Sequence, residues 1–285
     1  MSGAALLDAP AGSFAFSKAD FAVIARIVHS QAGITLNESK MQLVYSRLAK
    51  FVRAKGMSDF HDYVALIQQD KEERQRAIFA LTTNHTRLFR EDHHFTHFEQ
   101  VMRPAILAAA ESGKQVRLWS SACSSGEEPY SLGMTLLGSD RAEAQRLINR
   151  NVAILATDLA PHVLATARAG AYPATAASDI PDRYRKLWTR ISGDTMQMAP
   201  ELMTLIAFRQ LNLLDEWPIK VKFDAIFCRN VMIYFDDAVK SRLIERFAER
   251  LAPGGYLYIG HSERLVGPAT NRFVPAGQTI YRSVA

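Results

Sequence analysis

The sequence predicts an α/β protein: a mostly parallel sheet with helices on both faces, preceded by an all-helical domain and interrupted by a small β-subdomain. Three observations predict it. From residue 116 onward, short apolar runs alternate with helical segments, the rhythm of strands joined by helical crossovers. Before that point the apolar residues recur at helical spacing. Between 172 and 209 the alternation gives way to a short helix, a Ser192-Gly193-Asp194 turn and a run of alternating residues, which reads as an insertion.

These breaks set the expected domains. Residues 1–13, MSGAALLDAPAGS, read as a disordered tail, residues 14–82 as the helical domain, and 83–285 as a linker and sheet domain carrying the insertion. In the helical part, Ser17 suits an N-cap, with Phe16 before it and Phe21 inside the helix as a hydrophobic staple, and Gly33 suits the C-terminus. A second helix follows Asn37 and runs to Gly56, with Met41, Val44, Leu48, Phe51 and Val52 on its apolar face. Ser58 is the expected cap of a third helix, and a fourth spans roughly 72–81. From Arg87 to Ser112 a longer helical stretch is expected, interrupted at Pro104. Strands follow at 116–120, 152–157, 205–211, 223–228 and 254–260, then a hairpin with Ala276-Gly277 at its turn.

Composition narrows the class. The chain has 285 residues, 48% hydrophobic and 22% charged, ordinary for a soluble globular protein. No apolar run approaches the ~18 residues of a membrane span, and the first residues lack the pattern of a signal peptide. Cys123 and Cys228 make no disulfide framework, so a cytoplasmic location is expected. A net charge of +5 is too modest to demand nucleic acid. Its distribution is more telling, because residues 38–55 carry Lys40, Arg47, Lys50, Arg53 and Lys55 against Glu38 alone.

Ligands of an open parallel sheet bind beyond the carboxyl ends of its strands, so the residues just after each strand are the candidates. After the first comes SSACSSGEEPYS (120–131), small residues that let the backbone turn tightly, then Glu127 and Glu128 opening a helix. Two carboxylates there repel a pyrophosphate, and the chain has no GxGxxG or Walker sequence. A ligand with a cationic or hydroxyl-rich portion fits better. Asp158 follows the second strand, where a carboxylate can accept both ribose hydroxyls or cap the helix at Pro161. Arg229 and Asn230 follow the fourth. Upstream, TTNHTRLFRE (82–91) places Asn84, Thr86 and Arg90 on a linker that crosses the open end of the sheet. His93, His94 and His97 offer an i, i+4 pair, but no acid or cysteine completes a zinc set, and no metal is expected. Gly260-His261-Ser262-Glu263 matches half of a nucleophile elbow, with Arg264 in place of the second glycine.

Taken together, LTTNHTRLFRE, SSACSSGEEPYSLGMTL, LNLLD, FDAIFCRNVMIYFD and LAPGGYLYIGHSE resemble the CheR family of chemotaxis receptor glutamate methyltransferases, from about Phe14 to the end. The resemblance implies a Rossmann-like methyltransferase domain with S-adenosyl-L-methionine as cofactor and S-adenosyl-L-homocysteine as product. It implies cofactor contacts at Asn84, Thr86, Arg90, Glu128, Asp158, Asn212, Leu213, Arg229 and Asn230. Arg90 and Tyr234 are then the catalytic candidates, Arg90 steering the acceptor carboxylate and Tyr234 orienting it. Methyl-accepting receptors are the implied partners, drawn by the basic helix 38–55 through Lys40, Arg47, Lys50 and Arg53. Family members that grip a C-terminal receptor pentapeptide carry a glycine-containing insertion in a subdomain loop. The loop at 191–202 is compact and lacks it, so independence from that tether is expected. A nucleic-acid methyltransferase would place an Asn/Asp-Pro-Pro-aromatic motif where CRNV stands, and the remaining alternative is a catalytically inert cofactor-sensing adaptor.

Overall fold

The structure is a computed structural model that describes residues 14–82 and 84–284; the tail expected at 1–13 lies outside the described residues. Two compact units emerge: residues 14–82 with Tyr234–Asp236, and Asn84–Ile233 with Asp237 onward.

The first unit is helical. Helix α1 (Lys18–Ala32) starts in a capping box, in which the Ser17 hydroxyl accepts the Asp20 N–H and the Asp20 carboxylate accepts the Ser17 N–H. Phe16 and Phe21 meet edge-on with centroids 6.5 Å apart, completing the staple. Gly33, at φ 69°, ends the helix in the left-handed conformation. A 3₁₀ turn at Glu38–Lys40 leads into α2 (Met41–Ala54), which buries Val44, Leu48 and Val52. Helix α3 (Phe60–Gln69) is capped by Asp59 and not by Ser58, because Asp59 stands three residues before the Asp62 N–H that its carboxylate accepts at 3.1 Å. Helix α4 (Lys71–Leu81) is capped by Asp70.

Two basic residues of α2 and its end are occupied within this unit. Arg47 Nη1 donates to the carbonyls of Leu81 at 2.9 Å and Thr82 at 2.8 Å, closing the C-terminus of α4. Lys55 Nζ lies 3.0 Å from Glu73, a carboxylate whose side chain is 3% exposed and which also accepts from the Tyr63 hydroxyl. The exposed basic face is therefore smaller than the sequence suggests, and Lys40, Lys50 and Arg53 form it.

The second unit does not open on the helix expected from Arg87. Residues 87–91 are not helical; Phe89 (φ 51°) and Glu91 (φ 57°) turn the chain through left-handed conformations. Helix α5 (Asp92–His97) then passes through a π turn at Phe98–Met102 into α6 (Arg103–Glu111). The interruption thus precedes Pro104, because a proline ring clashes with the carbonyl one turn back and a widened turn relieves it.

Strand β1 (Val116–Ser121), α7 (Glu127–Leu137), α8 (Arg141–Ile148), β2 (Val152–Asp158) and α9 (Pro161–Ala169) follow. The insertion comprises β3 (Ala171–Pro173), α10 (Asp182–Trp188), β4 (Thr189–Ser192), β5 (Thr195–Met198) and α11 (Pro200–Leu205). Its strands form a three-stranded antiparallel sheet in the order β3-β5-β4. The chain rejoins the main sheet with β6 (Ile206–Gln210), β7 (Phe223–Cys228), α12 (Asp237–Arg250), β8 (Leu251–Ile259), β9 (Phe273–Gly277) and β10 (Ile280–Ser283). Gly277 pairs with Ile280, so the final turn is Gln278-Thr279 and not Ala276-Gly277. The seven strands lie in the order β6-β2-β1-β7-β8-β10-β9, with the first five parallel.

Both faces of this sheet are packed. Leu118, Ile154, Ala225, Phe227 and Tyr258 belong to one large buried cluster with Phe95 and Phe98. Trp119 packs with Trp217 at 4.8 Å, Phe223 at 5.2 Å and Phe247 at 5.5 Å between ring centroids. Its indole N–H donates to Thr157 Oγ1, so burial leaves no orphaned donor. Arg47→Ala should lower the unfolding free energy by about 1.5–3 kcal/mol, the scale for hydrogen bonds from a charged group. Urea titration reads this directly, and an unchanged midpoint would contradict the capping role.

Candidate active site

Register brings the strand ends into line. Ser121 is paired with both Thr157 and Cys228, and Asp158 with Gln210. Strand order reverses between β1 and β7, since β2 lies on one side of β1 and β7 on the other. An open parallel sheet binds ligands at this reversal.

The loop after β1 is made of small residues because it is tightly wound. Ala122 (φ 59°), Ser124 (φ 50°) and Gly126 (φ 97°) all take left-handed conformations. A Cβ on Gly126 would stand 2.8 Å from Ala167 Cβ and 3.0 Å from the Tyr172 hydroxyl, so only glycine fits. The loop is tied to β2, with Cys123 N–H donating to Thr157 O and Ser124 N–H to Asp158 Oδ2 at 2.8 Å.

Glu128 points back under this loop. Ser120 Oγ donates to its Oε1 at 2.7 Å and Arg229 Nη1 to its Oε2 at 2.9 Å. The Arg229 side chain is 2% exposed. Its guanidinium lies over the Phe95 ring and also donates to the Arg90 carbonyl. On the other side, Arg229 Nη2 lies 3.2 Å from Glu91 Oε2. Asn230, at φ 59°, donates from Nδ2 to Glu91 Oε1 at 3.1 Å, and His261 Nδ1 meets the same oxygen at 2.9 Å. Burial alone would raise the Glu91 carboxyl, but Arg229 and the His261 and Asn230 hydrogen bonds outweigh it and hold it down at about 2. Burial pushes Glu128 up from the usual carboxylate range against the pull of Arg229 and Ser120.

Asp158 is buried, and burial raises its carboxyl against the N–H groups of Ala160 and Ser124. Its two oxygens each take one backbone donor, Ala160 N–H at 3.0 Å on Oδ1 and Ser124 N–H on Oδ2. Ala160 occupies the N-cap of α9, so Asp158 does not cap that helix directly. Asn212 folds the turn after β6, its Oδ1 accepting the Leu214 N–H at 3.1 Å, while the Leu211 N–H donates to the Asp158 carbonyl. Leu213 is buried, and its carbonyl accepts from Arg246 and Trp217. On the linker, the Asn84 carbonyl accepts from Ser124 Oγ at 3.2 Å, and Thr86 is half-buried. Arg90 Nη1 donates to the His85 carbonyl. Tyr234 groups with the helical unit, where its carbonyl accepts the Thr35 N–H.

The structure thus draws the Arg90 backbone, Glu128, Arg229 and Asn230 into one network. It adds residues that sequence reasoning passed over. Glu91 adjoins Arg90 in the linker motif but has no pattern of its own. His261 and Glu263 belong to the apparent half-elbow, and inspecting the exit of β8 as well as β1, β2 and β7 would have found them. Glu263 is structural: its carboxylate accepts the N–H groups of Gly260, Asn230 and Ile233. His94 and His97 hold α5 to the sheet, His94 Nε2 lying 2.9 Å from Thr279 Oγ1 and His97 Nδ1 2.9 Å from the Tyr258 hydroxyl. Burial and the nearby Arg229 lower His94 to about 3, so it is neutral at physiological pH.

Comparison with known proteins identifies the family. Residues 84–282 match the family described as CheR methyltransferase, SAM binding domain, and residues 19–82 match the CheR methyltransferase, all-alpha domain. A probable chemotaxis protein methyltransferase of Rhizobium etli is 44% identical over 90% of this chain and 96% of its own. Chemotaxis protein methyltransferase 2 of Pseudomonas aeruginosa is 38% identical over 94% of both chains. The chemotaxis protein methyltransferase of Escherichia coli is 37% identical over 94% of this chain and 91% of its own. Matched by both family descriptions and almost end to end by these proteins, the chain belongs to the CheR methyltransferase family.

Proposed function

We propose that this chain methylates glutamate side chains of chemotaxis receptors through the site at the β1–β7 reversal, with Arg90 and Tyr234 on the acceptor side. It is an S-adenosylmethionine-dependent methyltransferase. The observation that carries the site reading is a charge imbalance: Glu91, Glu128 and Asp158 are largely buried, and Arg229 is the one buried guanidinium among them. Buried charge is costly unless balanced. S-adenosylmethionine offers two cationic groups against one carboxylate and suits such a pocket. The left-handed loop 122–126 lets it approach the backbone closely, and each Asp158 oxygen retains lone-pair capacity for a ribose hydroxyl. Asn84, Thr86, Asn212, Leu213 and Asn230 complete the proposed contacts.

When bound, the cofactor supplies a methyl group whose bond to sulfur breaks, with its electron pair left on sulfur, as a carboxylate oxygen bonds to carbon. A glutamate side chain with pKa ≈ 4.3 is already ionised near pH 7, so the chain needs no general base. Its residues have only to align the two partners, an effect that can supply roughly 7–11 kcal/mol. Arg90 steers the acceptor carboxylate by a charge-assisted hydrogen bond, and the Tyr234 hydroxyl orients it. Glu128 and Glu91 hold Arg229 in place beneath them.

Receptors are recognised through the exposed basic face of α2, formed by Lys40, Lys50 and Arg53. Arg47 is better explained by its bonds to the end of α4 than by a partner. In the insertion, β4 and β5 are joined by the two residues Gly193-Asp194, which leaves little room for an anchored peptide side chain, although β4 is an edge strand. The chain therefore works without a C-terminal receptor tether. No helix among the described residues is long and apolar enough to cross a membrane, and action in the cytoplasm on the receptors' cytoplasmic bundles is part of the same reading.

Four measurements test this reading. Asp158→Ala should weaken S-adenosylmethionine binding by about 1.5–3 kcal/mol in calorimetry; unchanged affinity leaves Asp158 as a loop tie alone. Arg90→Ala should reduce turnover far more than it reduces stability, and a folded variant with nearly intact activity would remove Arg90 from catalysis. Receptor binding should weaken steeply with salt, as the Debye length falls from about 10 Å at 0.1 M to about 3 Å at 1 M. A free receptor-tail pentapeptide should show no micromolar binding, and methylation that collapses when the tail is deleted would overturn tether independence.

A further inference from the structure

We infer that His261 receives the acceptor carboxylate during methyl transfer. The inference rests on the site reading above and extends it to the acceptor side.

Position along the sheet is the first argument. The carboxyl edge runs β6, β2, β1, β7, β8, each strand about 4.8 Å from the next. Asn212 and Asp158 follow β6 and β2, where the nucleoside portion is placed. Glu128 and Arg229 follow β1 and β7, at the reversal. His261 follows β8, the next place in the same direction. A transfer that proceeds across the edge from nucleoside to sulfonium to acceptor meets His261 last.

The second argument is that the residue is held in place from below. Glu263 Oε2 accepts the Gly260 N–H at 2.6 Å and the Asn230 N–H at 3.0 Å, locking the turn to the exit of β7. A Cβ on Gly260 would stand 2.5 Å from Asn230 Nδ2, so the turn has no slack. The imidazole is fixed as well. Its Nδ1 meets Glu91 Oε1 at 2.9 Å, the oxygen that also accepts from Asn230. An ionised carboxylate only accepts, so Nδ1 carries the proton.

The third argument is exposure. The His261 side chain is 58% exposed, whereas its partner Glu91 is 10% exposed. Here the orientation is built, and Nε2, on the opposite edge of the ring, has no hydrogen-bond partner among the described residues. In the imidazolium form Nε2–H donates to an incoming carboxylate, while Glu91 balances the charge behind it. The ring then bridges two carboxylates. One acceptor oxygen is held by Nε2–H and the other keeps its electron pair for the new bond to carbon; no proton leaves His261 in the step.

Two near-isosteres separate this role from a structural one. His261→Asn places an amide nitrogen near the Nδ1 position, keeping the bond to Glu91 and removing the outward donor. His261→Gln does the reverse. The inference predicts that the Asn variant loses at least about tenfold in kcat/KM for receptor methylation, while the Gln variant keeps most of it. His261→Ala should fall with the Asn variant. S-adenosylmethionine affinity, read by calorimetry, should stay within about threefold in all three, and their melting temperatures should stay near that of the unmodified chain. The inference is overturned if the Asn variant matches the unmodified chain, or outperforms the Gln variant, because the ring would then serve only to hold Glu91. Weakened cofactor binding with unchanged receptor kinetics would also overturn it. The Asp158→Ala measurement stands apart from these outcomes, so failure of the cofactor-site reading is distinguishable from failure of this one.

Discussion

The guanidinium of Arg229 sits almost wholly out of water between Glu128 and Glu91, and the site is organised around that burial. Removing one partner of a buried ion pair typically costs about 3–5 kcal/mol, because the other charge is stranded. The three residues come from different places: the first turn of α7, the exit of β7 and the linker turn before α5. Their mutual attraction therefore fixes how the linker crosses the sheet edge.

Backbone strain gathers at the same place. Among the described non-glycine residues with positive φ, Phe89, Glu91, Ala122, Ser124 and Asn230 border the site, and Thr279, in the hairpin turn, meets it through His94. Such conformations cost on the order of 1–3 kcal/mol each and persist only where surrounding contacts over-determine them. Those contacts are visible: Ser124 is held by Asp158, Asn230 by Glu91 and Glu263, and Glu91 by Arg229 and His261. The polar network and the strained turns are two aspects of one arrangement, in which ion pairs hold the backbone in shapes it would not otherwise keep.

The helical unit shows how the same residue type divides between stability and recognition. Arg47 and Lys55 are neighbours of Lys50 and Arg53 in sequence. The first two find backbone carbonyls and a buried glutamate, while the others remain at the surface. Spacing on a helix wheel predicts which face a side chain occupies. It does not predict whether another helix end lies within reach.

Period and composition by themselves determined the class of fold, the first helix start with its Ser17 cap, and the strand exits at Asp158 and Arg229, because these are local properties of a few neighbouring residues. The cap at Asp59, the π turn ahead of Pro104 and the hairpin turn at Gln278-Thr279 depended on competition between adjacent candidates, which local rules rank poorly. Tertiary structure alone decided the partners of Arg229. Glu128 lies 101 residues away along the chain, and Asn230 and Glu91 are separated by 139. Electrostatic pairing depends on distance in space, and sequence records only distance along the chain. For that reason the pairing of Glu91 with His261 became visible only once the sheet had brought its strand ends together.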